Sequence, residues 1–181
     1  MKSALVVVLL AVFVCPQLLA QDSYTINPGD RIAIEVWNEP DLQREVTILP
    51  DGTLSFPLVG LINAAGLSLQ ELQNSVANKL GGFITNPVVT VSITEMAGNT
   101  IFVIGQVNTP GAFVMTSPMT ALQALSLSGG FTTFAETRRI KIIRNTENGQ
   151  EVLRVNYSDL ASGDKLETNH QLISGDVLVV P

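Results

Sequence analysis

Val46-Thr-Ile-Leu-Pro-Asp-Gly-Thr-Leu-Ser-Phe-Pro-Leu-Val-Gly-Leu-Ile-Asn-Ala-Ala-Gly-Leu-Ser-Leu-Gln-Glu-Leu72 carries the grammar on which the fold is built. Val46 and Ile48 alternate with Thr47, and Leu54 and Phe56 alternate with Thr53 and Ser55, the period of two strands. Pro50-Asp51-Gly52 lies between them, with proline setting a turn dihedral and glycine accepting positive φ. The pattern predicts a hairpin across this turn. Gly60 to Gly66 then reads as a tight connection, and Ser68 with Glu71 forms a capping box that opens a helix.

The unit returns 45 residues later: Gly105-Gln-Val-Asn-Thr-Pro-Gly111 repeats the Gly-x-(Ile/Val)-Asn-x-x-Gly of Gly60 to Gly66. A second helix start follows, Thr120 with Gln123. Two copies are too few for a solenoid. The matching turns predict a structural echo in which Gly66 and Gly111 both adopt positive φ.

Working outward, Pro28-Gly29-Asp30 marks a turn, and Ile32, Ile34 and Val36 then line one face of a strand. The helix is predicted over 68–80, with Leu69, Leu72, Val76 and Leu80 on one stripe and Gly81-Gly82 as its stop. Val89, Val91 and Ile93 define another strand, and Met96 to Asn99 the boundary between two small domains. Beyond it the pattern predicts a strand over 100–105, a helix over 119–128 and a hairpin across Asn148-Gly149. The closing Gly175-Asp-Val-Leu-Val-Val180 echoes Gly29-Asp-Arg-Ile-Ala-Ile34. The fold class expected is α+β, two small domains of mixed strands around one helix each.

At the other end, Ala4 to Cys15 is a run of twelve apolar residues behind Lys2, the length of an export-signal core and short for a bilayer span. Residues 1–20 are read as a signal peptide, with cleavage after Ala20. Val14 is a poor residue before a lipidated cysteine, so Cys15 is read as part of the discarded leader. With sixteen acidic and ten basic side chains the net charge is −6, which argues against nucleic acid as a partner.

Catalytic signatures are thin. His170 is the one histidine and Cys15 the one cysteine, and no Gly-x-Ser-x-Gly elbow meets a histidine. No metal-ligand spacing, phosphate loop or dinucleotide fingerprint is present, so no catalytic, metal or cofactor residues are assigned. Trp37 falls on the strand face opposite Ile32 and Ile34. It suits stacking on a sugar, packing under a loop or a subunit contact. Arg138-Arg139 is the one basic cluster; it suits carboxylates on a neighbouring subunit or an acidic glycan, or a solvated strand entry.

Tyr24-x-Ile-x-Pro-Gly-Asp30, Pro50-Asp-Gly52, Phe56-Pro-Leu-Val-Gly60, Gly66-Leu-Ser68 and Asn86-Pro-Val-Val-Thr-Val91 resemble the polysaccharide export domain of bacterial envelope proteins. Gly105-Gln-Val-x-x-Pro-Gly111, Met119-Thr-Ala-Leu122, Ser128-Gly-Gly130 and Gly175-Asp-Val-Leu-Val-Val-Pro181 resemble the SLBB domain, a β-grasp module, that follows it in that family. The resemblance implies an export domain over 22–97 and a β-grasp SLBB domain over 98–181. It further implies a non-catalytic, oligomeric periplasmic ring that helps carry capsular or extracellular polysaccharide across the outer membrane. An inner-membrane polysaccharide co-polymerase and a separate outer-membrane component are the partners expected, because the pore-lining helix of larger relatives has no counterpart up to Pro181. A monomeric periplasmic glycan-binding module is the alternative, and a carbohydrate-active enzyme the third reading.

Overall fold

The computed structural model describes residues 24–146 and 148–181. The expected signal peptide, Cys15 and the cleavage near Gln21 lie outside the described residues.

The first domain starts with β1 (Arg31–Val36), β2 (Arg44–Thr47), β3 (Thr53–Phe56) and β4 (Gly60–Asn63), and continues with α1 (Leu69–Leu80) and β5 (Val89–Glu95). Antiparallel pairing gives the three-stranded order β2-β1-β5, with β3 and β4 as a separate ladder. The helix starts as its capping box requires. Ser68 Oγ accepts the Glu71 N–H at 3.2 Å, and Glu71 Oε2 accepts the Ser68 N–H at 2.8 Å. Its stripe of Leu72, Val76 and Leu80 is fully buried against Ile32, Ile34, Val36, Val89 and Val91 of the sheet. Burying one such side chain contributes roughly 1.5–3 kcal/mol.

The expected hairpin across Pro50-Asp51-Gly52 is corrected by this topology. The turn closes, with the Gly52 N–H donating to Leu49 O and the Leu49 N–H to Thr53 O. Its two flanking strands do not form a ladder together, because β2 pairs with β1 and β3 pairs with β4. Residues 60–63, read as a connection, are therefore a strand. Leu58 and Gly60, both at positive φ, make the hairpin turn between β3 and β4.

The second domain contains β6 (Thr100–Gly105), β7 (Gly111–Val114), α2 (Ala121–Leu127), β8 (Ile140–Thr146), β9 (Gly149–Val155), α3 (Tyr157–Ala161) and β10 (Val177–Val180). Its five-stranded order is β7-β6-β10-β8-β9. Two antiparallel hairpins flank β10, which runs parallel to β6 and antiparallel to β8. With α2 on one face, this is the β-grasp arrangement. The helix residues Ala121, Ala124 and Leu125 pack into a core with Ile101, Val103, Ile140, Ile142, Leu178 and Val180. The β8–β9 ladder extends to Thr146 opposite Gly149, further than the alternation alone indicated.

Gly111 departs from the expected echo. Gly66 has φ of 80°, whereas Gly111 is an ordinary strand residue outside the left-handed region. Gly105 is the constrained glycine of the second frame. It has φ of 96°, and a Cβ there would lie 1.9 Å from the Val180 carbonyl oxygen. The cause is the parallel pairing of β6 with β10, which brings two distant segments together.

Candidate functional site

Two buried aspartates organise the region where the domains meet. Asp30 and Asp176 follow Gly29 and Gly175, both at positive φ, and each immediately precedes a strand. The Asp30 carboxylate accepts the Asn27 N–H at 2.8 Å, as the Asp176 carboxylate accepts the Ile173 N–H at 2.9 Å. Their other partners differ. Arg144 donates from Nε to Asp176 Oδ1 at 2.9 Å and from Nη2 to Oδ2 at 2.7 Å, a bidentate ion pair. Asp30 Oδ2 accepts the Tyr24 hydroxyl at 2.5 Å, and Oδ1 accepts the Gly98 N–H at 2.9 Å. The Tyr24 phenol is pushed well above the ordinary tyrosine value, first by burial and then by its bond to the Asp30 carboxylate.

Asn27, Ile173 and Ser174 of these turns line a cleft of about 470 Å³ between the domains. The first domain supplies Tyr24, Thr25 and Asn27; the linking segment supplies Met96 and Asn99. From the second come the segment 115–118 and Leu172, Ile173 and Ser174. Several polar side chains here are pinned. Asn27 Nδ2 donates to Thr25 O at 2.8 Å, Asn99 Nδ2 to Met115 O at 2.6 Å and Ser174 Oγ to Gly98 O at 2.6 Å. Among the described residues no aspartate, glutamate, histidine, lysine or arginine lines the cleft.

The outer face of the five-stranded sheet is a second feature. Register sets Ala112, Phe102, Val177, Ile143 and Val152 side by side across all five strands, on the face away from α2. The adjoining row is Ile104, Val179, Lys141 and Arg154. Phe102, Ile104 and Val152 are exposed. Lys141 and Arg154 are cross-strand partners of like charge, which is unfavourable in isolation, and neither makes an ion pair among the described residues. The outer face of the first sheet has the opposite character, with Glu35 and Glu45 on it beside the Arg31–Glu95 pair at 3.2 Å.

The sequence-nominated residues are scattered. Trp37 is 80% exposed just after β1, its backbone N–H donating to Val88 O at 2.8 Å. Beside it, the shallow depression is lined by first-domain residues including Glu35, Gln43 and Val88. Arg138 and Arg139 lie exposed at the entry to β8 in the other domain. Arg139 Nη1 bonds Glu136 Oε2 at 2.8 Å. The structure thus does not gather Trp37 and the arginines into one pocket. Sequence reading overlooked Tyr24, Asp30, Asn99 and Ser174. The signal for two of the turns was present in the Gly-Asp echo, but nothing local announces that their carboxylates are buried.

Two family models match successive parts of the chain. Residues 19–94 match the family model described as polysaccharide biosynthesis/export protein, and residues 99–180 match the SLBB domain. The chain is similar to polysaccharide biosynthesis/export proteins and then to SLBB domains, in that order.

Three relatives are named for polysaccharide export, production or transport. The chain is 27% identical over 154 residues to the EPS I polysaccharide export outer membrane protein EpsA of Ralstonia nicotianae, covering 71% of this chain and 40% of that protein. It is 26% identical over 171 residues to the exopolysaccharide production protein ExoF of Rhizobium meliloti, covering 86% and 37%. It is 28% identical over 108 residues to the polysialic acid transport protein KpsD of Escherichia coli, covering 59% and 19%. The chain therefore spans about 40% of the length of the first of these relatives. Among the described residues no helix is long and apolar enough to cross a membrane, a statement that does not bear on strands.

Proposed function

We propose that this chain is a non-catalytic component of polysaccharide export across the outer membrane, working as a periplasmic oligomeric ring. Its signal peptide would be residues 1–20, its export domain 22–97 and its SLBB domain 98–181. The observation that carries the export reading is the match of both domains, in order, over nearly all of the chain beyond the leader. The chemistry of the interdomain cleft supports binding over turnover. Its described lining offers pinned amides and hydroxyls, and among the described residues no carboxylate pair or histidine stands there to move a proton.

Assembly is supported by the two unlike sheet faces. An apolar face with the basic Lys141–Arg154 corner on one copy suits the acidic face carrying Glu35 and Glu45, with Trp37 at its end, on the next. A contact between unlike surfaces is heterologous, and such contacts close into rings when the rotation permits. Arg138 and Arg139, beside the basic corner in sequence, are proposed to lie on the same contact. An inner-membrane polysaccharide co-polymerase and a separate outer-membrane component are the proposed partners, and the exported periplasm is the proposed location.

Deletion of the chain in its host, with export of surface polysaccharide as the readout and native mass of the exported protein beside it, tests the reading. Lost export and an oligomeric mass are the results expected. Unchanged export would overturn it. A protein monomeric alone and with its partners would favour a monomeric glycan-binding module.

A further inference from the structure

We infer that the cleft between the two domains is a binding site for an uncharged pyranose unit of a glycan. This inference rests on the polysaccharide export reading and adds to it a location and a ligand chemistry. A pyranose ring presents hydroxyl donors around its rim and C–H groups on its faces. Its site must supply fixed acceptors beside apolar walls, without charge.

The cleft meets each requirement. Its volume of about 470 Å³ is within the range of small-molecule pockets. Asn27 and Asn99 have their amide nitrogens engaged by Thr25 O and Met115 O, and no described donor reaches their amide oxygens. Those oxygens are therefore oriented before any ligand arrives, so little ordering entropy opposes binding. Tyr24 is held in the same way by the fully buried Asp30 carboxylate, and it contributes an aromatic side chain to a lining that also includes the apolar Met96 and Leu172.

Charge decides the class of sugar. A uronate or sialate carboxylate would need a counter-charge when desolvated, and among the described residues no lysine or arginine lines the cleft. The net charge of −6 would also oppose an anionic polymer. Neutral hexose units carry neither cost.

The test is two-dimensional amide NMR on the full chain. Cellotetraose, mannotetraose and chitotetraose serve as neutral probes, and tetragalacturonate as the charged comparator. Expected are saturable shifts from at least one neutral probe, confined to residues 24–27, 96–99, 115–118 and 172–174. Ser117→Trp would fill the mouth of the cleft at an exposed position, weakening binding by about tenfold or more while leaving the remaining amide spectrum in place. Thr116→Trp is the second variant if the first disturbs the fold. Silence with all three neutral probes, shifts located elsewhere, stronger binding of tetragalacturonate, or unaltered binding in a folded Trp variant would each overturn the inference. A silent cleft in a chain whose deletion stops export sinks this inference alone. Neutral-sugar binding in a chain that export does not need sinks the export reading instead.

Discussion

Asp30 and Ser174 belong to different domains and hold the same residue. Gly98 donates its N–H to the Asp30 carboxylate at 2.9 Å and accepts the Ser174 hydroxyl on its carbonyl at 2.6 Å. The segment joining the domains is thereby tied to both, directly beside the cleft. Glycine is required by space rather than by dihedral angle. A Cβ at position 98 would stand 2.3 Å from the Pro28 carbonyl oxygen and 3.0 Å from Asp30 Oδ1.

Gly98→Ala should therefore cost about 1–3 kcal/mol, since the Pro28 carbonyl or the Gly98 backbone itself must shift. Thermal unfolding read by circular dichroism measures it. A melting temperature equal to that of the parent chain would mean that the Asp30–Gly98–Ser174 tie is not held in solution.

The two glycine frames give a contrast. Gly66→Ala forces a side chain into φ of 80° and should destabilise the first domain by about 1 kcal/mol, although open space surrounds it. Gly111→Ala, outside the left-handed region and equally open, should be neutral or slightly stabilising. Equal effects in denaturant titrations would contradict the backbone geometry.

Stability should fall at both ends of the pH scale through two identified groups. Hydrogen bonds from the Ser68 N–H and hydroxyl hold Glu71 below its ordinary value of 4.5, so the cap contributes above pH 4.5 and is lost as pH falls through the lower folded value. Burial and the bond to Asp30 raise Tyr24 above its ordinary 10.0, so its contribution is complete below pH 10.0 and disappears as pH rises through the folded value. Melting temperature followed against pH should show a flatter acid limb in Glu71→Gln and a flatter alkaline limb in Tyr24→Phe. Ultraviolet titration should also lose its late-ionising phenol in Tyr24→Phe.

Replacing Arg138 and Arg139 together by Glu should abolish oligomers and polysaccharide export. The monomer should change in stability by no more than about 0.5 kcal/mol, because both side chains are exposed and the Arg139–Glu136 pair is a surface one. Sedimentation, circular dichroism and an export assay on the double variant decide it. A folded variant that still assembles removes these arginines from the contact.

Local chemistry was legible in the chain. The Ser68–Glu71 box, the apolar stripe of α1, the alternation of β1 and β5 and the Gly-Asp turns depend on residues a few positions apart, so sequence spacing alone determined them. The order of motifs likewise pointed to the family. Strand partners were another matter. Val46 and Leu54 flank one turn, yet their strands pair with different neighbours, and β10 inserts beside a β6 that lies more than seventy residues earlier. Such choices follow from which faces can be buried together, a property of the whole chain. The same holds for the site. Ile101-Phe102-Val103-Ile104 is apolar throughout, so only the packing of α2 reveals that Phe102 and Ile104 face outward. The bond of Asp30 to Gly98, and the cleft beside it, exist only because two domains converge on Gly98. Tertiary structure alone decided that convergence, since it joins backbone and side-chain groups 68 and 76 positions apart.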